Sequence, residues 1–522
     1  MSVCRQSTSP NDEILVRRSA NYLPSIWDYD FVQSLKSEFT AKQYSEKLNK
    51  LKGVVKMMFE ETTSPLDQLE MIDCMQRLGF SYHFHNEIEA SLTNLHTINY
   101  AHKKQYDLHA TALEFRLLRQ YGYSTNQEIF TSFIDEQGKF KDCVEDDLKG
   151  LLYLYEASYL MVEGENLLED AQKFCIKHLQ KYVKEKNIGE EEYLVVLVRR
   201  ALELPLHWRT QRWEARWFID VYELNKNMNP TFLELAKLDF NMLQAIHQQD
   251  LKHVSRWWKR TGLGEKLEFA RNRLVEVMFW SVGAIFEPEY GYTRRVLSKA
   301  GALITVIDDI YDVYGNLEEL ELFTDAVVRW DLNAMDELPH YMQICFLALY
   351  NSINELAFDD LQDRDVHIIS YVKKGIIILN FQWADLCKAY LIEAKWYYNG
   401  YIPTLQGYLE NGWVSIATPL LVVHAVFTIS NQISEEASAY IKKSPTVIKL
   451  ASLISRLAND LGTYSNEIKK GDNPKSIQCY MHETRTSEEE ARKHLHYLIG
   501  EAWKTINEDQ INNTIFYCTS TF

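Results

Sequence analysis

The sequence predicts an all-α fold in two helical domains, and three observations lead there. Only 20 Gly and 11 Pro occur among 522 residues, too few for a turn-rich β architecture or a disordered chain. Long stretches of Leu, Ala, Glu, Lys and Gln favour helix. Apolar residues recur at three- and four-residue steps in 147–171, 231–248, 296–314 and 447–470, the period of an amphipathic helix. No succession of hairpin signals or strand–helix alternation competes with that pattern, and no fixed-period repeat suggests a solenoid.

In chain order, LVRRSANYLPSIWDYDF at 15–31 reads as an irregular arm leading into a helical unit. The turn-prone NKNMNP at 225–230 marks the boundary, giving a first domain over 1–225 and a second over 226–522. The apolar stretch 415–429 is interrupted by Pro419 and His424 and is too short to span a bilayer. Seventy-three acidic against 56 basic residues give a net charge of −17, which repels nucleic acid and anionic membranes alike. Neither is expected as a partner. Eight cysteines without a CxxC fit buried thiols in a reducing compartment rather than a zinc ribbon. No secretory apolar region follows Met1, and Asp12 and Glu13 interrupt anything resembling a transit peptide. A soluble cytoplasmic monomer is expected for the chain as written, with the plastid as the alternative for a trimmed form.

The strongest chemical feature is IDDIYDVY at 307–314. On a helix Asp308 and Asp312 share a face, with Asp309 about 100° round and Leu303, Val306, Ile310 and Val313 opposite. Upstream, Gly301 and Thr305 would leave room beside the acids, and Gly315 would stop the helix. Carboxylates so close repel unless a cation lies between them, and hard oxygens in this number suit Mg²⁺. A second DDxxD match, DDLQD at 359–363, runs straight into Arg364 and Asp365 and reads as a solvated helix end. The motif string alone therefore carries little weight.

More specific is a polar stripe further on. Arg456, Asn459, Thr463 and Glu467 fall within about 80° of helical arc, with Leu450, Leu453, Leu457, Leu461 and Ile468 on the far side. An amide, a hydroxyl and a carboxylate at i, i+4 and i+8 can ligate one hard cation, and a guanidinium one turn away suits a phosphate. Arg271 and Arg273 in FARNRLVEVMFW can add positive charge; two positions apart, they belong near a helix end. Trp280 offers an aromatic face to a cation.

Taken together, these motifs resemble those of the plant class I terpene synthases over essentially the whole chain except its last part. DDIYD at 308–312 is similar to the family's aspartate-rich motif, and NDLGTYSNE at 459–467 to its second metal motif. RNR at 271–273 resembles the upstream arginine pair. Arg17 and Arg18, followed after eight residues by Trp27, resemble the tandem-arginine motif of monoterpene synthases. No DxDD occurs, so protonation-initiated chemistry is not expected.

The resemblance implies a helical pocket that binds a linear allylic diphosphate through three Mg²⁺ ions, with Mn²⁺ as the alternative metal. Asp308, Asp309 and Asp312 would form one metal wall, and Asn459, Thr463 and Glu467 the other. Arg271, Arg273 and Arg456 would take the departing diphosphate, and Trp280 would face the cation left behind. Arg17 and Arg18 would help to close the pocket and support isomerisation. After 501–507 the family continues through another helix and a closing Gly/Asp-rich loop; here only NEDQINNTIFYCTSTF follows, so the resemblance implies a shortened C-terminus without the lid. Geranyl diphosphate is the expected substrate. Farnesyl diphosphate and an inactive relative are the alternatives.

Overall fold

The computed structural model describes residues 17–97, 107–185, 192–362, 369–429, 445–470 and 473–512. Helices dominate throughout, and among the described residues the only β pairing is an isolated bridge between Ile134 and Phe140.

Two large apolar cores organise the chain. The first gathers residues from Val55 to Ala236, the second from Leu243 to Leu420. The change from one core to the other falls along one long helix, α1 (Pro230–Thr261), which begins at the end of the NKNMNP turn. That turn starts the helix: Asn229 accepts hydrogen bonds from the backbone N–H groups of Thr231 and Phe232, with Pro230 in the first turn, a favourable N-terminus. Gly262, at φ 67°, ends it in a conformation glycine adopts without strain. The periodic stretch 147–171 is not one helix. It breaks into Leu148–Ser158 and Asn166–Glu185, with Gly164 at φ 82° in the connection.

In the second unit α2 (Leu274–Ala284) lies against α3 (Gly291–Asp309). A Cβ on Gly301 would stand 2.5 Å from Val277 Cγ1. Gly301 thus serves close helix packing, and the open space expected beside it is filled. Leu303, Val306, Ile307 and Ile310 are fully buried, each contributing roughly 1.5–3 kcal/mol on burial. They fix which face of α3 its acids occupy. The chain continues through α4 (Leu317–Arg329), α5 (His340–Gln362), α6 (Ile369–Asn399), α7 (Leu405–Ser415), α8 (Thr418–Ile429), α9 (Pro445–Lys470) and α10 (Glu488–Asn512). The apolar stretch 405–429 divides at Ala417, φ 63°, into helices of 11 and 12 residues, shorter than the roughly 20 that cross a bilayer.

Candidate active site

The acids sit where α3 changes pitch. Beyond Asp309 the helix widens into a π turn over Ile310–Tyr314, closed by a 2.8 Å bond from the Gly315 N–H to the Ile310 carbonyl. Gly315 is extended, φ −73°, so it is not the left-handed stop expected. Its small size is what matters: a Cβ would lie 2.9 Å from the Ile310 oxygen and 2.6 Å from Leu320 Cδ2. Tyr311 is buried and anchors the turn, its hydroxyl 2.7 Å from Thr324 Oγ1.

Arg271 joins this segment from the loop ahead of α2, as its expected place near a helix end requires. Its guanidinium forms an ion pair with Asp308. Its backbone N–H and Nε–H donate to Asp309 Oδ2 at 2.6 and 3.1 Å. Arg271 thus lies between the Asp308 and Asp309 carboxylates. Asp309 is fully buried; burial pushes its carboxyl up to about 6, with Arg271 pulling down and Asp308 pushing up. Asp309 faces inward and anchors Arg271, while the Asp308 side chain keeps 28% of its surface exposed. Arg273 occupies the position just before α2, without a side-chain capping bond, and lies 4.0 Å from Glu276.

The stripe on α9 divides differently from the helical-wheel expectation. Asn459 is exposed and Thr463 half-buried, its hydroxyl donating to the Asn459 carbonyl at 2.9 Å. Arg456 is buried with Asp460, 3.6 Å away, and donates to Ser415 Oγ at 3.1 Å and the Gly412 carbonyl at 3.3 Å. It stands beneath the wall rather than beside Asn459, because Ser452, Arg456 and Asp460 form the inward face. The Glu467 backbone belongs to α9, and its side chain lies outside the described residues, as do those of Asp359 and Asp363. Trp280 is 66% exposed, far from the buried position that a core tryptophan would take.

Several residues join the site without having been singled out. Buried Tyr390 on α6 feels the charges of Asp308, Asp312 and Arg456 together. Tyr408 donates to Asp460 at 2.9 Å. Glu319 receives Arg17, and Tyr22 lies over Arg271, ring centroid to guanidinium carbon 5.0 Å. Isolated tyrosines separated by up to hundreds of residues carry no spacing signal. Arg18 lies over Tyr397 at 4.2 Å, whereas Trp27 stacks on Phe31 and does not share the arginines' partners.

Among the described residues no three His, Cys, Asp or Glu side chains converge on one metal position. The available donors are carboxylate, amide and hydroxyl oxygens. Such a set suits Mg²⁺, which completes its shell with water and phosphate oxygens.

A helical bundle with acids at the end of one helix and an amide–hydroxyl pair on another defines a class I terpenoid synthase. The chain belongs to the terpene synthase family: the model of the terpene synthase N-terminal domain matches residues 26–202, and that of the terpene synthase family metal binding domain matches 259–505. It is a lyase of the kind that acts on prenyl diphosphates. It is 56% identical over 500 residues to a (−)-alpha-terpineol synthase of Vitis vinifera, covering 95% of this chain and 83% of that one. Against a chloroplastic myrcene synthase of Quercus ilex the identity is 53%, over 98% and 84%. The structure of a limonene synthase with 2-fluorolinalyl diphosphate superposes with a TM-score of 0.91 at 43% identity, covering 97% of this chain and 93% of that one. Isoprene synthase from grey poplar leaves, in complex with three Mg²⁺ ions and dimethylallyl-S-thiolodiphosphate, gives 0.84 at 44%, over 95% and 93%.

Proposed function

We propose that this protein ionises geranyl diphosphate with Mg²⁺, releasing diphosphate and forming a monoterpene. The observation that supports the reading is Arg271 held against Asp308 and Asp309: a guanidinium able to bind an anion, beside a carboxylate that would bind metal. Terpineol and myrcene synthases among the relatives support the ten-carbon substrate. Three Mg²⁺ ions, as in the isoprene synthase complex, would be held by Asp308 and Asp312 on one wall and by Asn459, Thr463 and Glu467 on the other. Bound there, they would neutralise charge on the leaving diphosphate.

Arg271 and Arg273 bind the diphosphate, and Arg456 adds positive potential from the buried face of α9. Preorganised charge of this kind favours the ionised state over the intact ester. The exposed Trp280 indole offers the allylic cation a face that stabilises without attacking. Arg17 and Arg18 hold the N-terminal segment across the site. The chain acts as a monomer, and relatives named as chloroplastic favour the plastid over the cytoplasm.

Purified protein incubated with geranyl or farnesyl diphosphate plus Mg²⁺, with products separated by gas chromatography, tests the reading. Ten-carbon products from geranyl diphosphate are expected. Turnover of farnesyl diphosphate alone, or of neither, overturns it.

A further inference from the structure

The segment 17–22 crosses the second unit on three separate footholds. Arg17 reaches Glu319 and the Tyr314 carbonyl. Arg18 lies over Tyr397, whose neighbour Tyr398 donates to the Gly315 carbonyl at 3.0 Å. Between these arginines and the third foothold the backbone turns at Asn21, φ 49°, a conformation asparagine tolerates better than most residues. The Asn21 N–H donates to Ser19 Oγ at 3.2 Å. As a result Asn21 and Leu23 point outward, Leu23 being 80% exposed, while Tyr22 between them turns in.

Tyr22 lands on Arg271. Its ring covers the guanidinium at 5.0 Å, while Asp308 and Asp309 hold that group by its edge. The phenol also hydrogen-bonds the Asp309 carboxylate and feels the charge of Asp308. A planar cation gripped by its edge alone can still pivot; a ring across its face removes that freedom. Arg273, by contrast, has Glu276 at 4.0 Å, a loose contact within one helical turn.

We propose that Tyr22 is a positioning residue for diphosphate capture, through which the N-terminal segment acts on Arg271. The proposal rests on the reading of Arg271 as a diphosphate ligand. If Asp308 is given over to a cation, Arg271 loses its terminal partner but keeps Asp309 on Nε–H and the backbone N–H. Tyr22 then keeps the guanidinium plane fixed, with its freed edge presented to the anion. Ordering that edge in advance saves side-chain entropy at the moment of binding.

Titration calorimetry of the full chain with inorganic diphosphate in saturating Mg²⁺ tests this. Tyr22→Ala should weaken diphosphate binding about tenfold, the size of a partly desolvated cation–π contact. Tyr22→Phe, which keeps the ring and gives up only the hydroxyl's bond to Asp309, should lose clearly less than Tyr22→Ala does. In an Arg271→Gln background, Tyr22→Ala should have no further effect, which a general loss of packing would not reproduce. Tyr22→Leu keeps the bulk without the π face; it should behave as Tyr22→Ala does, and it decides the matter if the alanine variant fails to fold. Unchanged binding in both Tyr22→Ala and Tyr22→Leu, or an equal loss with and without Arg271, overturns the proposal. Absence of binding by the unsubstituted chain overturns the reading of the site, and the proposal with it.

Discussion

Arg17 closes a two-pronged ion pair on Glu319, 302 residues away in the chain. Glu319 is the third residue of α4, where its carboxylate also accepts the Asn316 N–H at 3.2 Å in a capping box. Burial opposes the charge on Glu319, but Arg17, the Asn316 N–H and Tyr341 outweigh it and hold the carboxyl below its usual range. The arm is therefore fastened to the start of the helix that follows the aspartate segment. Replacing Arg17 or Glu319 by Ala should each expose residues 17–22 to limited proteolysis. A double-mutant cycle read by thermal melting should give a coupling of about 1–2 kcal/mol. Additive effects would mean that the pair contributes nothing beyond its separate residues.

Asp308→Ala should abolish diphosphate release. Asp359→Ala should leave it within about twofold, since Asp359 lies in the last turn of α5, which ends at Gln362, on a different helix from the segment that carries Asp308 and Asp312. Glu467→Gln should raise the Mg²⁺ concentration needed for half-maximal rate, because a neutral amide is a poorer ligand for a hard cation. Equal losses at Asp308 and Asp359 would reverse the choice between the two acidic motifs.

Much of the fold was legible from helical periodicity. The opposition of Asp308 to the buried Leu303 and Val306 on α3 also follows from that period. What the sequence concealed has physical causes. A helical wheel assumes a uniform pitch, and the π turn after Asp309 breaks it. The wheel also grouped Arg456 with Asn459, but α9 packs closely enough against α7 to enclose Arg456 while leaving Asn459 exposed. Gly301 read as space and proved to be contact, because an absent side chain looks the same in a sequence either way. Tyr22 and Glu319 depend on where an irregular arm lies, which no periodic signal reports.

Gly301 yields a stability test of that last kind. A Cβ there would overlap Val277 Cγ1 at 2.5 Å, so Gly301→Ala should force α2 and α3 apart and cost about 1–3 kcal/mol. Val277→Ala alone creates a void and is also destabilising. Combined, the two changes should cost less than their sum, because the new methyl occupies the space that valine vacates. Urea melts of the four proteins measure this, and strict additivity would mean that the contact does not set the helix spacing.

Acid should loosen the junction between the two units through His207. This histidine lies ahead of the helix Gln211–Tyr222, and its Nε2–H donates to Asn507 Oδ1 on α10 at 2.9 Å. Asn507 in turn donates to the Tyr159 and Met161 carbonyls, both at 3.0 Å. Burial lowers His207 to about 4, with Asn507 opposing the shift, so the folded protein holds the ring neutral. An unfolded chain would protonate it near 6.5. Between those values the unfolded state binds the extra proton, and stability falls as pH falls. The contribution is complete above about pH 6.5 and is lost toward pH 4, with a slope of at most about 1.4 kcal/mol per pH unit. His207→Gln retains a donor for Asn507 and removes the titration. Its melting temperature should depend less on pH than that of the unsubstituted protein between pH 6.5 and 4.5, with the two curves parallel above pH 7. Parallel curves over the whole range would show that His207 does not couple the junction to protons.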